Sequence, residues 1–186
     1  MDNFEALVRL LLERENYWTR QSEKINLTPA QKEKYGKKTA PRPELDIVAF
    51  NPGRNEILVI EVKSYLDSRG VGAIDFRTLD QKNTAGRYKL FTCPEYRELV
   101  FEELRRDFTM KGLANDKTNL RLGLAAGKIQ KKYSEELVQI FRKQEWFLWT
   151  PQILADKFRA LAEIGYENDP FVLAAKLLTR NPEKKD

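Results

Sequence analysis

Asp46, Glu61 and Lys63 are charged residues set in an otherwise apolar stretch, PELDIVAFNPGRNEILVIEVKSY, from Pro43 to Tyr65. Residues 44–50 and 57–63 read as two strands, and NPGRNE between them carries the residues of a turn. Side chains alternate along a strand, so Asp46, Val48 and Phe50 share one face, and Ile57, Val59, Glu61 and Lys63 share one face of the next. A hairpin closed by residues 51–56 pairs Phe50 with Ile57 and Asp46 with Glu61. Two carboxylates directly opposite each other sit about 5 Å apart. With an effective dielectric of about 20 they repel by about 3 kcal/mol. A shared proton or a cation between them offsets that repulsion. Lys63, two positions beyond Glu61, reaches the same face but is not expected to sit between the acids as a metal ion would. Hard divalent ions take carboxylate and carbonyl oxygens. The pattern is therefore that of a small oxygen-ligand metal site with a lysine beside it.

Both faces of both strands are mainly apolar, so the strands belong to the middle of a sheet covered on two sides. Phe4, Leu7, Val8, Leu11 and Leu12 recur at helical spacing and predict a helix over 3–15. A short strand follows at 17–20. Thr28 and Pro29 open a short helix that Gly36 closes. Residues 76–91 are expected to be helical, and a helix opened by Pro94 carries Leu99, Val100, Phe101, Leu104 and Phe108. Further expectations are a strand at 119–127 whose small residues admit a close backbone, a helix at 134–144 capped by Ser134, and a strand at 145–150. Helices begin after Thr150 and Asp169, and the tail frays. Alternation of this kind predicts an α/β fold, a mixed sheet with helices on both faces. Residues 1–150 form its core and 151–186 supply C-terminal helices packed on it. Trp18, Trp146 and Trp149 are assigned to the core.

The chain has 186 residues, 41% of them hydrophobic, which suffices for a core. It contains no histidine. Ser-His and Cys-His relays and histidine-ligated zinc are thereby excluded, and carboxylates and lysines must carry any catalysis. One cysteine, Cys93, makes no internal disulfide, in keeping with a reducing cytoplasm. The charged N-terminus reads as an amphipathic helix and not a signal peptide, and no apolar run is long enough to span a bilayer. The formal net charge of +5 favours polyanionic partners.

Asp46 followed by Glu61-Val62-Lys63 on the next strand resembles the PD-(D/E)XK nuclease superfamily, with its restriction-endonuclease-like mixed sheet around a central hairpin. The order of elements over about residues 3–150 is similar too, although the motif itself lies within 43–65. Leu45, not proline, precedes Asp46, and Pro43 lies three residues back. The resemblance implies that Asp46, Glu61 and the Val62 carbonyl ligate Mg²⁺ or Mn²⁺. It implies that Lys63 orients or helps deprotonate the attacking water, and that DNA is cut by an endonuclease to leave 5′-phosphate and 3′-hydroxyl ends. It also implies a further acid on the first helix. Glu5 fits that position, Glu13 is the alternative, and an acid at Glu5 also complements the helix dipole.

Lys24, Lys32, Lys34, Lys37, Lys38 and Arg42, with Tyr35 among them, precede the acids and are placed to track a phosphate backbone. Lys128, Lys131 and Lys132 follow the strand at 119–127 and reach the same end of the sheet if that strand runs parallel to 57–63. Arg69, Arg77, Lys82, Arg87 and Lys89 form a third basic group. Gln81 and Tyr88 lack the four-residue spacing of the Gln and Tyr pair in RecB-like nucleases. Three readings stay open: a metal-dependent endonuclease acting on DNA, with RNA not excluded; a non-catalytic nucleic-acid-binding module on the same fold; and an α/β interaction subunit. A homodimer is left open, since the sequence has neither a heptad nor a clear interface stripe.

Overall fold

The computed structural model describes residues 2–34, 38–39, 41–77 and 87–179. Five strands form one sheet in chain order: β1 (Trp18–Lys24), β2 (Glu44–Asn51), β3 (Glu56–Lys63), β4 (Asn119–Ala126) and β5 (Phe147–Trp149). The first three run antiparallel, whereas β3, β4 and β5 run parallel. The helices are α1 (Asn3–Glu13), α2 (Pro29–Lys34), α3 (Lys89–Thr92), α4 (Pro94–Met110), α5 (Ser134–Lys143), α6 (Pro151–Ala160) and α7 (Pro170–Thr179). The protein is thus α/β, with a mixed sheet between two helical layers.

The alternating apolar residues of the strands build both layers. Val48, Ile57, Val59, Leu122 and Leu124 pack beneath α3, α4 and α5 through Phe91, Val100, Leu104, Phe108 and Phe141. Ile47, Ala49, Leu58, Ile60 and Val62 meet α1, α6 and α7 through Val8, Leu11, Leu12, Leu154 and Val172. The helices after residue 150 therefore pack on the same face as α1. Each fully buried side chain of this size stabilises the fold by roughly 1.5–3 kcal/mol. Among the described residues no helix is long and apolar enough to cross a membrane.

Side-chain caps fix the helix starts. Asp2 accepts from the amides of Phe4 and Glu5, Thr150 from that of Ile153, and Asp169 from those of Phe171 and Val172. Thr28 and Gln31 bond each other's amides at the start of α2. Ser134, expected as a cap, is instead the first helical residue, and Tyr133 precedes it without a capping side chain. Trp146 and Trp149 are core residues as expected. Trp18 is not: it is 71% exposed, because the edge strand β1 turns it outward. The helix expected at 76–91 is seen only as a 3₁₀ turn at Ala73–Phe76 and as α3, and 78–86 lie outside the described residues.

Candidate active site

The register of the hairpin explains how its acids are set. Phe50 faces Ile57, as the turn length predicts, but the β2–β3 ladder ends at Ile47 and Ile60. Asp46 and Glu61 are therefore not a ladder pair, contrary to the sequence expectation. The Lys63 carbonyl accepts from the Gly127 amide, so backbone groups of Lys63 point toward β4 and those of Val62 toward β2. Continued pairing would give the Val62 amide the carbonyl of Leu45. Instead Asp46 Oδ2 accepts that amide at 2.8 Å. A carboxylate thus replaces a backbone carbonyl where the two strands part. The start of β2 stays with β1, through Glu23–Leu45 and Lys24–Glu44, and Ser22 opposite Asp46 has φ of 51°. Leu45 consequently joins the helical layer of α3–α5 instead of following Ile47 and Ala49 to the other face.

Lys63 occupies the gap between the acids. Its Nζ lies 2.6 Å from Glu61 Oε1 and 3.5 Å from Asp46 Oδ2. The expectation that lysine stands beside the acids but not between them is corrected: once β2 and β3 diverge, a side chain two residues along β3 fits between the carboxylates. All three side chains are half-buried. Burial, and then the nearby Asp46 charge, push the Glu61 carboxyl above its ordinary value despite Lys63 and Lys89. Burial pushes the Lys63 ammonium down, but Glu61 and Asp46 more than offset it, and it lies above its ordinary value.

Glu5 stands within the field of this group. Burial and then Asp46 raise its carboxyl, while Lys63 lowers it. Glu13, the alternative, is occupied elsewhere, pairing with Arg9 at 3.1 Å and accepting from Thr19 at 2.6 Å. The first turn of α1 is brought to this end of the sheet by close packing. A Cβ on Gly127 would lie 2.5 Å from the Ser64 carbonyl oxygen and 2.9 Å from the ring of Phe4, so glycine is required there. Among the described residues no three Asp, Glu or Cys side chains converge as a ready metal cage. The donors at hand are Asp46, Glu61 and the carbonyl of Val62, with Glu5 within electrostatic reach of Asp46. These are hard oxygen ligands of the kind Mg²⁺ and Mn²⁺ take, and the residues fit such an ion if Lys63 moves aside.

A cleft of about 210 Å³ opens from Asp46 and Glu61, walled by Leu45, Leu90 and Tyr96 and rimmed by Arg42, Arg87 and Lys89. Of the basic residues named from sequence, Arg42, Arg87 and Lys89 reach this cleft, and the Arg42 guanidinium also donates to Asn26. Lys24 pairs with Glu44 and Lys38 with Glu33. Lys32 and Lys34 lie on α2, and Lys37 and Lys82 lie outside the described residues. Because β4 is parallel to β3, Lys128 follows it at the same end, where its ammonium donates to the Leu66 carbonyl. Lys131 and Lys132 are exposed on the next turn, Lys132 over the ring of Tyr133. Arg77 instead forms a paired ion contact with Glu136.

Two of the cleft residues, Arg87 and Lys89, come from the third basic group named from sequence. Lys89 lies over the Tyr96 ring at 4.6 Å, and burial holds its ammonium below the ordinary value. Arg87 donates to the hydroxyl of Tyr65, a non-glycine residue with φ of 46° directly beyond the strand that carries Lys63. Burial and a hydrogen bond with Tyr65 hold the Tyr88 phenol far above its ordinary value. Arg87 and Lys89 both stand in the basic run RYK at 87–89 that leads into α3, whose Leu90 and Phe91 carbonyls accept from Arg97 on α4. In comparisons with known proteins, no family model, no curated protein and no solved structure matches this chain.

Proposed function

We propose that this protein is a metal-dependent DNA endonuclease on a restriction-endonuclease-like fold, using Mg²⁺ or Mn²⁺ held by Asp46, Glu61 and the Val62 carbonyl, with Glu5 in support. The observation that carries the reading is the convergence of Asp46, Glu61 and Lys63 where β2 and β3 part. Two of the surrounding carboxyls are raised by burial and mutual repulsion, as befits a place that gains from a further cation. The three antiparallel strands followed by two parallel ones, with the acids on the central hairpin, support the fold assignment. When bound, the ion would polarise the scissile phosphate and lower the pKa of the attacking water. The chain's own part follows from the residues. Asp46 and Glu61 hold the negative pole of the site, and Lys63 orients the water and offsets charge on the phosphate. Arg42, Arg87 and Lys89 hold the flanking phosphates at the rim.

The test is incubation of supercoiled plasmid and of a branched DNA with Mg²⁺, Mn²⁺ or EDTA, wild type beside Glu61→Gln and Lys63→Ala. Metal-dependent cleavage by the wild type, lost in both variants while each stays folded, supports the reading. The second reading, a non-catalytic nucleic-acid-binding module, is favoured by one observation: Lys63 already pairs with both acids. Its signature is salt-sensitive DNA binding without cleavage under any of these conditions.

A further inference from the structure

A second cleft, of about 580 Å³, lies at the opposite end of the sheet, where β3 and β4 begin. Glu56 in this cleft lies five residue steps along β3 from Glu61, a span of about 17 Å along an extended strand. Its walls include Phe101, Leu122 and Trp146, and three guanidiniums, those of Arg97, Arg121 and Arg142, line it. A guanidinium has five N–H donors. Arg97 spends one nitrogen on the carbonyls of Leu90 and Phe91 and stacks on Trp146 at 5.6 Å. Arg121 donates its Nε to the Glu145 carbonyl. Its nearest carboxylate oxygen, on Glu56, is 4.0 Å away, and Glu56 already accepts from the Tyr17 hydroxyl at 2.7 Å. Among the described residues Arg97 and Arg142 have no ion-pair partner, and Arg142 is exposed at the end of α5. Burial holds the Arg97 guanidinium below its ordinary value, and an anion beside it would relieve that.

We infer that this cleft binds a small phosphate-bearing ligand with a flat ring, a free nucleoside monophosphate. Guanidiniums pair with phosphate oxygens in a fork and stack on planar rings. The volume falls among small-molecule sites, which run to roughly 300–1,000 Å³, and exceeds what a bare phosphate fills. Phe101 and Leu120, half-buried in the wall, suit the ring, and the three guanidiniums, which outnumber the lining carboxylates Glu56 and Glu145, suit the phosphate. This site is separate from the acid cleft and does not rest on the nuclease reading.

The experiment is calorimetric titration of the full chain with dAMP in EDTA, which removes any metal-dependent contribution from the acid cleft. Arg142→Glu, Arg142→Gln and Glu61→Gln are run in parallel, with pyrophosphate as a second probe. Saturable dAMP binding is expected, at least tenfold tighter than that of pyrophosphate. It weakens about tenfold or more in Arg142→Glu, less in Arg142→Gln, and is unchanged in Glu61→Gln. Each variant is checked by its melting temperature, and Arg142→Gln serves if charge reversal perturbs folding. Absence of saturable binding at millimolar dAMP overturns the proposal. So does binding that survives both Arg142 substitutions, or that responds to Glu61→Gln instead, which would place the nucleotide in the acid cleft.

Discussion

Glu56 and Glu61 sit on the same strand, and the fold treats them in opposite ways. Glu56 opens β3 opposite Asn51, where the ladder to β2 is still intact. It accepts from the phenol of Tyr17, which Arg54 in turn contacts at 3.4 Å, and it faces Arg121. Glu61 stands where β2 has left β3. Its counterion is shared with a second carboxylate, and burial with Asp46 for a neighbour holds its proton more tightly than usual. The difference separates a structural acid from a poised one. A neutral donor and an arginine complete Glu56, whereas Lys63 leaves the Asp46–Glu61 pair with net negative charge. Partial compensation of this kind raises reactivity at a cost in stability.

Breaking the poised end should have the largest effect. Lys63→Ala is expected to lower plasmid cleavage by about 100-fold or more, within the range assigned to a positioned acid–base group. Glu56→Gln should leave the rate within about twofold. Removing Lys63 also leaves two half-buried carboxylates facing each other, at a cost of about 2 kcal/mol at neutral pH that urea titration reads. Equal losses of cleavage in the two variants would erase the distinction between the two ends. Asp46→Ala comes next. It removes the acceptor of the Val62 amide, and unfolding should register about 1–2 kcal/mol beyond the loss of activity.

The two glutamates sharpen the contrast through the sign of a smaller effect. The Glu61 carboxyl is raised in the fold, so the native state binds more protons than the unfolded chain just above the ordinary value of 4.5. Stability then falls as pH rises above 4.5. Glutamine mimics the protonated acid. Glu61→Gln should therefore melt higher than wild type at pH 7, with the gain closing as pH falls below about 4.5. Glu56→Gln should melt lower at pH 7, because the Tyr17 hydrogen bond loses a charged acceptor. Melting scans of the three proteins at neutral and acid pH decide the matter, and a Glu61→Gln protein less stable at pH 7 would refute the account.

Much of this was legible in the sequence because it was local. Apolar runs bounded by turn residues located β2 and β3, the small-residue run at 119–127 located β4, and helical spacing of apolar residues located α1 and α4. Thr28, Thr150 and Asp169 marked helix starts because a cap needs only neighbours. The turn length gave the pairing of Phe50 with Ile57. What failed was non-local. An ideal ladder puts Asp46 opposite Glu61, and no pattern in residues 43–65 records that β1 bends away with the start of β2. The seat of Lys63 between the acids follows from that divergence. Trp18 was misassigned because the strand expected from sequence spans 17–20, whereas β1 runs on through polar residues to Lys24 as an edge strand. The choice of Glu5 over Glu13 depended on which end of α1 meets the strand ends, which the contact between Phe4 and Gly127 decides.

The smallest expected effect lies at the structural end. Burial, and then the hydrogen bond to Glu56, raise the Tyr17 phenol from 10.0 to about 12. A phenol that ionises later in the fold contributes stability that is complete below pH 10 and is lost as pH rises toward 12. Tyr17→Phe should therefore cost about 1 kcal/mol at neutral pH through the lost hydrogen bond. Its stability should also decline less steeply than that of wild type above pH 10, so the two curves converge. Urea midpoints at pH 7, 9 and 11 measure this. Parallel curves would mean that Glu56 does not hold the phenol. The structural acid would then lack its neutral partner, and the two ends of β3 would differ only in the divergence of their strands.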